Sequence, residues 1–154
     1  MIPGSKLEAF VVAAKAATYV GDGARVAGSR TGSQDLVWRS GDWAYRDSYF
    51  GGTDFIGQET VWHKGLPVWA MNYHGAILRD DLMTASQAAV LIRAALSALY
   101  REGRFLGGFR FAQGQLCYED ASSGDVMAFS GIEEIRVNGA LAYQLRYHGG
   151  RIRP

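Results

Sequence analysis

The 154-residue sequence has little of several features that would narrow its function. It has a single cysteine, Cys117, which excludes an internal disulfide and is typical of a reducing compartment. The formal net charge is +1 and no Lys/Arg cluster stands out, so direct nucleic acid binding is not expected. No apolar run is long enough to cross a bilayer, and the N-terminal segment lacks the pattern of a secretory signal. We therefore expect a cytoplasmic protein without membrane contact.

Residues for metal, nucleotide or nucleophile chemistry are equally sparse. The three histidines, His63, His74 and His148, include no pair with ligand spacing on one element, so no metal is expected. Gly21 and Gly23 follow a predicted helix and no Gly-Lys-Ser/Thr is present, which argues against a phosphate-binding loop. No serine lies in a Gly-x-Ser-x-Gly context. The sequence therefore predicts no cofactor.

An internal repeat is the most informative feature that is present. Phe55, Gly57, Glu59 and Val61 are matched 74 residues later by Phe129, Gly131, Glu133 and Ile135, and the match runs on to a shared Tyr-His-Gly. A single domain of two pseudo-symmetric units, about 5–75 and 84–149, follows from this match. Because each half alone would be marginal, we expect the units to share one core.

Each unit is predicted to begin with a helix and continue with four strands. Capping boxes at Ser5–Glu8 and Thr84–Gln87 predict helices from Ser5 to about Ala17 and through about Arg101. Val90, Leu91, Ala94, Ala95 and Leu99 form the expected buried stripe of the second helix. The predicted strands span about 35–39, 43–50, 55–63 and 67–74, and about 108–112, 115–121, 126–137 and 140–148.

Short turns between these strands predict antiparallel pairing. The breaks include Ser122–Asp125 and Asn138-Gly139, the latter a strong signal for a two-residue hairpin. The expected fold is α+β: a tandem α-β-β-β-β repeat forming an antiparallel sheet of about eight strands, with two helices packed on one face. Alternation directs Trp69, Met71 and Tyr73 toward the helices and Asn72 and His74 away from them.

The two units differ in ways that favour a binding site in the first. Unit one alone has a long segment, 20–34, between its helix and first strand, and such segments are often functional or disordered. All four tryptophans also lie in unit one. A sheet covered on one side leaves a concave face open, and a ligand is expected there, beside the 20–34 segment.

Two groups of polar residues are candidates for chemistry. Glu59 shares a strand face with Phe55 and Val61, an apolar setting that would raise its pKa and suit a general acid or base. Its repetition as Glu133 favours a structural requirement of the fold over catalysis. Tyr45, Asp47 and Tyr49 share one face of a strand and could orient a polar ligand or relay a proton. A hydrogen-bonded cross-strand row is the alternative interpretation.

The runs Tyr45–Gly52, Phe55–Glu59 and Pro67–Tyr73 resemble an uncharacterised bacterial family, a domain of unknown function found alone or behind an Xre-type helix-turn-helix. The likeness extends from the first helix to Tyr147–Gly150. The resemblance implies a sensor or effector domain, with a separate regulator protein as a partner because this chain has no room for its own helix-turn-helix. It carries over no catalytic residue.

We expect a small-molecule-binding domain whose ligand and oligomeric state the sequence leaves open. The predicted ligand-binding residues are Arg30, Tyr45, Asp47, Tyr49, Glu59, Trp69 and Asn72. One alternative is an enzyme that uses Asp47 or Glu59 as acid or base. Another is a protein-interaction module that docks through exposed aromatic side chains.

Overall fold

The computed structural model describes residues 2–21 and 23–153 and contains one nine-stranded antiparallel sheet. Helix α1 spans Gly4–Lys15 and continues as a π-helical turn, Ala16–Val20, and helix α2 spans Ala85–Arg101. The strands are β1 Ala24–Val26, β2 Gln34–Ser40, β3 Trp43–Gly51, β4 Phe55–His63, β5 Leu66–Ile77, β6 Phe109–Gln113, β7 Leu116–Asp125, β8 Ala128–Val137 and β9 Ala140–Arg151. Their order in the sheet is β1-β2-β3-β4-β5-β9-β8-β7-β6. The predicted α+β class is confirmed, with both helices on one face.

Helix α2 begins where its capping box predicts. The Gln87 backbone N–H donates to the Thr84 hydroxyl over 3.2 Å, and the Thr84 N–H donates to Gln87 Oε1 over 2.9 Å. The helix stops before Gly103, whose φ of 76° only glycine adopts readily. One predicted core residue is wrong, because Val90 is 67% exposed. The predicted Leu91, Ala95 and Leu99 are buried and Ala94 is half-buried. The stripe also includes Ala88, Ile92, Leu96 and Tyr100.

The capping box predicted for helix α1 is wrong. The helix begins at Gly4 with Pro3 as its N-cap, and no side chain caps it, so Ser5 lies inside the first turn. Pro3 has φ −62° and ψ 144°, the extended conformation that is typical of an N-cap residue. At its other end the helix widens into the π-helical turn, which closes when the Gly21 N–H donates to the Ala16 carbonyl over 2.9 Å.

The hairpin turns follow the predicted chemistry with one exception. Asn138 and Gly139 both have positive φ, 50° and 84°, as a two-residue type I′ turn requires. The break predicted at Ser122–Asp125 is wrong, since strand β7 continues to Asp125 and the turn is formed by residues 126–127. Backbone pairing with β8 through Asp125 overrides the local turn signal.

The 20–34 segment adds a ninth strand to the eight that were expected. Its residues Ala24–Val26 pair antiparallel with β2 and form the edge of the sheet. Asp22, which the same segment includes, lies outside the described residues. The segment is therefore partly ordered by the sheet that it extends.

The two predicted units meet along the β5–β9 pair and bury side chains in common. Trp69 of β5 is fully buried, and its indole N–H donates to the Val126 carbonyl over 3.0 Å. Its ring stacks on Phe129 at 5.8 Å between centroids and meets Phe105 edge-on at 6.0 Å. Residues of the first unit thus complete the core of the second. The common origin of the units stays a prediction.

Neither described helix combines the length and apolar character needed to span a membrane.

Candidate functional site

Sheet register brings four carboxyl groups together beneath the helices. Asp47 of β3 lies directly opposite Glu59 of β4, and Asp120 of β7 lies directly opposite Glu133 of β8. Side chains of directly opposed residues point to the same face of a sheet with Cβ atoms only about 5 Å apart. Here that face is the one that the helices cover, so Asp47, Glu59 and Asp120 are buried and Glu133 is half-buried.

A tyrosine from the next strand donates to one member of each pair. The Tyr73 hydroxyl donates to Asp47 Oδ1 over 2.6 Å, and the Tyr147 hydroxyl donates to Asp120 Oδ1 over 2.6 Å. Each tyrosine ring reaches its aspartate by lying across a glycine of the intervening strand. A Cβ atom at Gly57 would collide with the Tyr73 ring. The Gly-x-Glu motif of the repeat therefore has a packing reason.

Lys15 is the cation of this interior. It lies in the last turn of helix α1 and is only 5% exposed. Its Nζ donates to Glu59 Oε1 over 2.8 Å and lies 2.7 Å from Glu59 Oε2. It also lies 5.5 Å from the centroid of the Phe105 ring. None of the ion pairs found in the described residues includes Glu133. The Asp47–Glu59 pair is therefore partly neutralised by Lys15, and the Asp120–Glu133 pair has no such ion pair.

Burial raises the pKa of three of the carboxyl groups, those of Asp47, Asp120 and Glu133. Desolvation, followed by the charge of Glu59, raises the pKa of Asp47 to about 7. Desolvation and the charge of Asp120 raise the pKa of Glu133 to about 8. The pKa of Asp120 is also raised, chiefly by burial. At neutral pH both pairs therefore hold protons that surface carboxyls would have lost.

An interior cavity of about 60 Å³ lies among these groups. Lys15 and all four carboxyl residues line it, together with Tyr19, Tyr73, Tyr100, Tyr118 and Tyr147. Asp120 Oδ2 is buried without a hydrogen-bond partner in the described part of the protein. A cavity of this size can hold about four water molecules, which would meet several polar partners there.

A larger cleft of about 550 Å³ adjoins the interior cavity on the side of unit one. Tyr19, Asp47, Phe55 and Tyr73 line both spaces. The outer wall comes from the 20–34 segment and neighbouring residues, among them Gly21, Gly23, Arg25, Gln34, Tyr49 and Arg93. Gln34 Oε1 accepts from both the Tyr49 hydroxyl and Arg25 Nη1, each over 3.1 Å, which ties this wall together. Asp120 does not reach the cleft.

The structure divides the predicted site residues between the two faces of the sheet. Asp47 and Glu59 line the interior cavity, and Asp47 and Tyr49 line the cleft. Tyr45 and Trp69 lie on the same helix-covered face but are buried in the core at 2% and 0% exposure.

The remaining two predicted residues, Arg30 and Asn72, line a separate groove on the open face. The carboxyl groups thus lie on the covered face of the sheet, opposite the concave face where the sequence places the ligand.

A buried aspartate that sequence analysis did not single out anchors the 20–34 segment. Asp35 is 2% exposed and accepts hydrogen bonds from Ser29, Ser33 and Ser48 over 2.7, 2.7 and 2.9 Å. Burial alone would raise the pKa of Asp35, but these hydrogen bonds hold it below its ordinary value. The serine spacing around an aspartate at the start of a strand is the signal that could have indicated this anchor.

Lys15 and Tyr73 are the other site residues without a predicted functional role. A lysine within the apolar stretch of helix α1 was a usable signal, because a buried lysine needs a carboxylate partner. The described residues contain no group of three or more histidine, cysteine or acidic residues placed to hold a metal ion.

Comparison with known proteins identifies the family. Residues 47–152 match the model of a family described as a domain of unknown function, DUF5680. The match covers more than half of the chain, so the chain belongs to this family. No curated protein and no solved structure matches the sequence.

Proposed function

We propose that the protein binds a small polar molecule in the cleft of unit one, with Asp47 as its main polar anchor. The observation that carries this proposal is the position of Asp47, the carboxyl residue that lines both the interior cavity and the cleft. The Tyr73 hydroxyl fixes the orientation of Asp47 from the other side. A fixed carboxyl at the floor of a cleft is a means of selecting ligands by hydrogen bonding.

The walls of the cleft indicate what kind of ligand it would take. Its volume of about 550 Å³ lies within the usual range for small-molecule sites. Tyr19 and Phe55 supply aromatic surface, while Tyr49 and Gln34 supply hydrogen-bonding groups at the rim. With a pKa of about 7, Asp47 can accept from a ligand donor or donate a proton of its own. A compact molecule with hydroxyl, amine or amide groups fits this arrangement.

A sensor or effector role beside a separate transcription regulator, which the family resemblance implies, belongs to the same proposal. Such a role requires that ligand binding change the conformation of the protein. The 20–34 segment provides a route, because it contributes the cleft wall through Arg25 and Gln34 and is fastened to the sheet at Asp35.

Acid–base catalysis at Asp47 is a second candidate function, favoured by one observation. A carboxyl group with a pKa of about 7 is matched to proton transfer at neutral pH. Glu59 is less suited to this role because Lys15 already holds it in an ion pair. If ligands are converted rather than only bound, product signals will grow with time in the wild type and be absent with Asp47→Asn.

The test is a ligand screen with a matched pair of variants. Polar metabolites are screened against the wild-type protein by ligand-observed NMR, and the affinities of hits are measured by calorimetry. Asp47→Asn should weaken binding about tenfold or more, because it removes the carboxyl acceptor at the floor of the cleft. Asp120→Asn is the control, since Asp120 has the same tyrosine partner geometry but lies away from the cleft.

Three results would contradict the proposal. If Asp47→Asn binds a hit with the affinity of the wild type, Asp47 is not the anchor of the ligand. Equal loss from both aspartate variants at unchanged thermal stability would place the ligand in the interior cavity instead. Hits that bind both Tyr49→Phe and Asp47→Asn as tightly as the wild type would show that the ligand binds outside the cleft.

A further inference from the structure

The open face of the sheet carries a groove whose electrostatic character is opposite to that of the covered face. This open-face groove has a volume of about 470 Å³ and lies along the β4, β5 and β9 strands. Its lining includes Arg30, Ile56, Asn72, His74, Arg146 and His148, and no carboxyl residue from the described ranges lines it. A groove with only cationic and neutral side chains at its walls is complementary to an anion.

Strand register assembles the polar part of the groove. Asn72 lies opposite His148, and His74 lies opposite Arg146, across the β5–β9 pair. All four side chains are exposed on the same face. The junction between the two units therefore places two histidines, an arginine and an asparagine side by side on neighbouring strands. Neither unit alone provides all four side chains.

Hydrogen bonds organise the floor of the groove. Gln58 Nε2 donates to Asn72 Oδ1 over 2.8 Å, and Asn72 Nδ2 lies 3.4 Å from His148 Nε2. These contacts form a row of polar side chains across β4, β5 and β9. The row holds Asn72 and His148 in place before any ligand arrives, which lowers the entropy cost of binding.

The two arginines of the groove differ in how they are held. Arg30 donates to the Ser48 carbonyl over 2.8 Å, and its guanidinium lies 4.5 Å from the centroid of the Phe50 ring. Arg146 enters no ion pair or side-chain hydrogen bond among those found in the described part of the chain. It is thus the cation in the groove whose donors are available to a ligand.

We propose that the open-face groove binds a small organic anion, with a phosphate or carboxylate held by Arg146 and the two histidines. The apolar part of the ligand lies on Ile56, which is 54% exposed, and on Phe50. A guanidinium matches the planar fork of such acidic groups, and imidazole N–H groups add further donors. This site lies on the other face of the sheet from the cleft of unit one, and Tyr73 is the lining residue that the two share.

The experiment titrates phenyl phosphate into the full-length protein and follows binding by calorimetry and by backbone amide NMR shifts. We expect millimolar or tighter binding, with the largest shifts in β5 and β9. Arg146→Gln should weaken binding about tenfold or more, since it removes the free guanidinium. Arg136→Gln is the matched control, because Arg136 is paired with Glu134 at 2.9 Å and lies outside the groove.

Two further measurements distinguish anion binding in this groove from binding in the cleft and from binding of the phenyl ring alone. Tyr49→Phe, which alters the cleft and no residue of the groove, should leave phenyl phosphate binding unchanged, so failure of one proposal does not imply failure of the other. Phenol should not bind measurably, because it lacks the acidic group.

The proposal is overturned if phenyl phosphate does not bind at about 10 mM, because the expected affinity is millimolar or tighter. It is also overturned by equal losses in Arg146→Gln and Arg136→Gln, or by inorganic phosphate binding as tightly as phenyl phosphate. Binding of single-stranded oligonucleotide without binding of phenyl phosphate would indicate a nucleic acid surface instead.

Discussion

At the scale of single residues, the interior carboxyl groups link stability to pH. A carboxyl group whose pKa is raised on folding binds its proton more tightly in the folded than in the unfolded chain. Its contribution to stability is fully present below the unfolded pKa and is lost as pH rises through the folded pKa. Asp35 acts in the opposite sense, because its lowered pKa makes a contribution that is lost at low pH.

Glu133 allows this linkage to be measured. Its pKa rises from 4.5 in the unfolded chain to about 8 in the folded protein, so stability should fall as pH increases from about 5 to 8. Glu133→Gln should flatten that decline, because the amide does not titrate. Melting temperatures recorded from pH 5 to 9 provide the test, with Glu119→Gln as control because the Glu119 side chain is exposed. Parallel profiles for wild type and Glu133→Gln would show that Glu133 titrates normally.

Some of these residues could be predicted from the sequence and others could not, for a physical reason. Asp47 and Glu59 could be identified because alternation and repetition are local properties of the sequence. The Lys15–Glu59 pair and the Tyr73–Asp47 hydrogen bond join residues 44 and 26 positions apart. Such contacts depend on how a helix docks and how strands register, which the pattern of one segment does not determine.

At the scale of elements, glycine determines whether a tyrosine can cross a strand. Gly57 of β4 lies opposite Tyr73 of β5, and the Tyr73 ring occupies the space where a side chain at Gly57 would lie. Gly57→Ala should displace the ring, break the hydrogen bond to Asp47 and destabilise the protein by about 1–3 kcal/mol. Urea denaturation measures the change.

The control for this experiment is another glycine of the same unit. A Cβ at Gly52 would meet nothing within 4 Å, so Gly52→Ala should be nearly neutral. If both alanine variants unfold at the wild-type urea midpoint, the crossing of Tyr73 over Gly57 does not constrain the fold.

Local signals predicted those elements whose ends depend on local chemistry. The Asn138-Gly139 turn and the Thr84 capping box form as expected, because positive φ and side-chain caps are decided within a few residues. The polar run before Asp125 instead stays extended because β8 pairs with it. The start of α1 also differed from expectation, since proline supplies the entry geometry that Ser5 was expected to provide.

At the scale of the whole molecule, the sheet separates two chemically different surfaces. Its covered face carries the acidic interior and the cleft, and its open face carries the basic groove. Alternation along the β3, β4 and β5 strands produces this division, because neighbouring residues point to opposite faces. The β5–β9 junction contributes to both surfaces, through Tyr73 and Tyr147 on one side and through Asn72 and His148 on the other.

The dependence of each half on the other can be tested by dividing the chain. Fragments 1–78 and 79–154 should each fail to unfold cooperatively, because Trp69 completes its core with Phe105, Phe129 and the Val126 carbonyl of the other half. All four tryptophans lie in the first fragment, so its fluorescence reports the state of that half directly. The fluorescence emission of the isolated first fragment should be shifted to the red, since Trp69 would lose its buried environment. Mixing the fragments should restore the emission of the intact protein as the β5–β9 pair re-forms. Cooperative unfolding of the isolated first fragment, with emission like that of the full chain, would mean that the halves are independent domains.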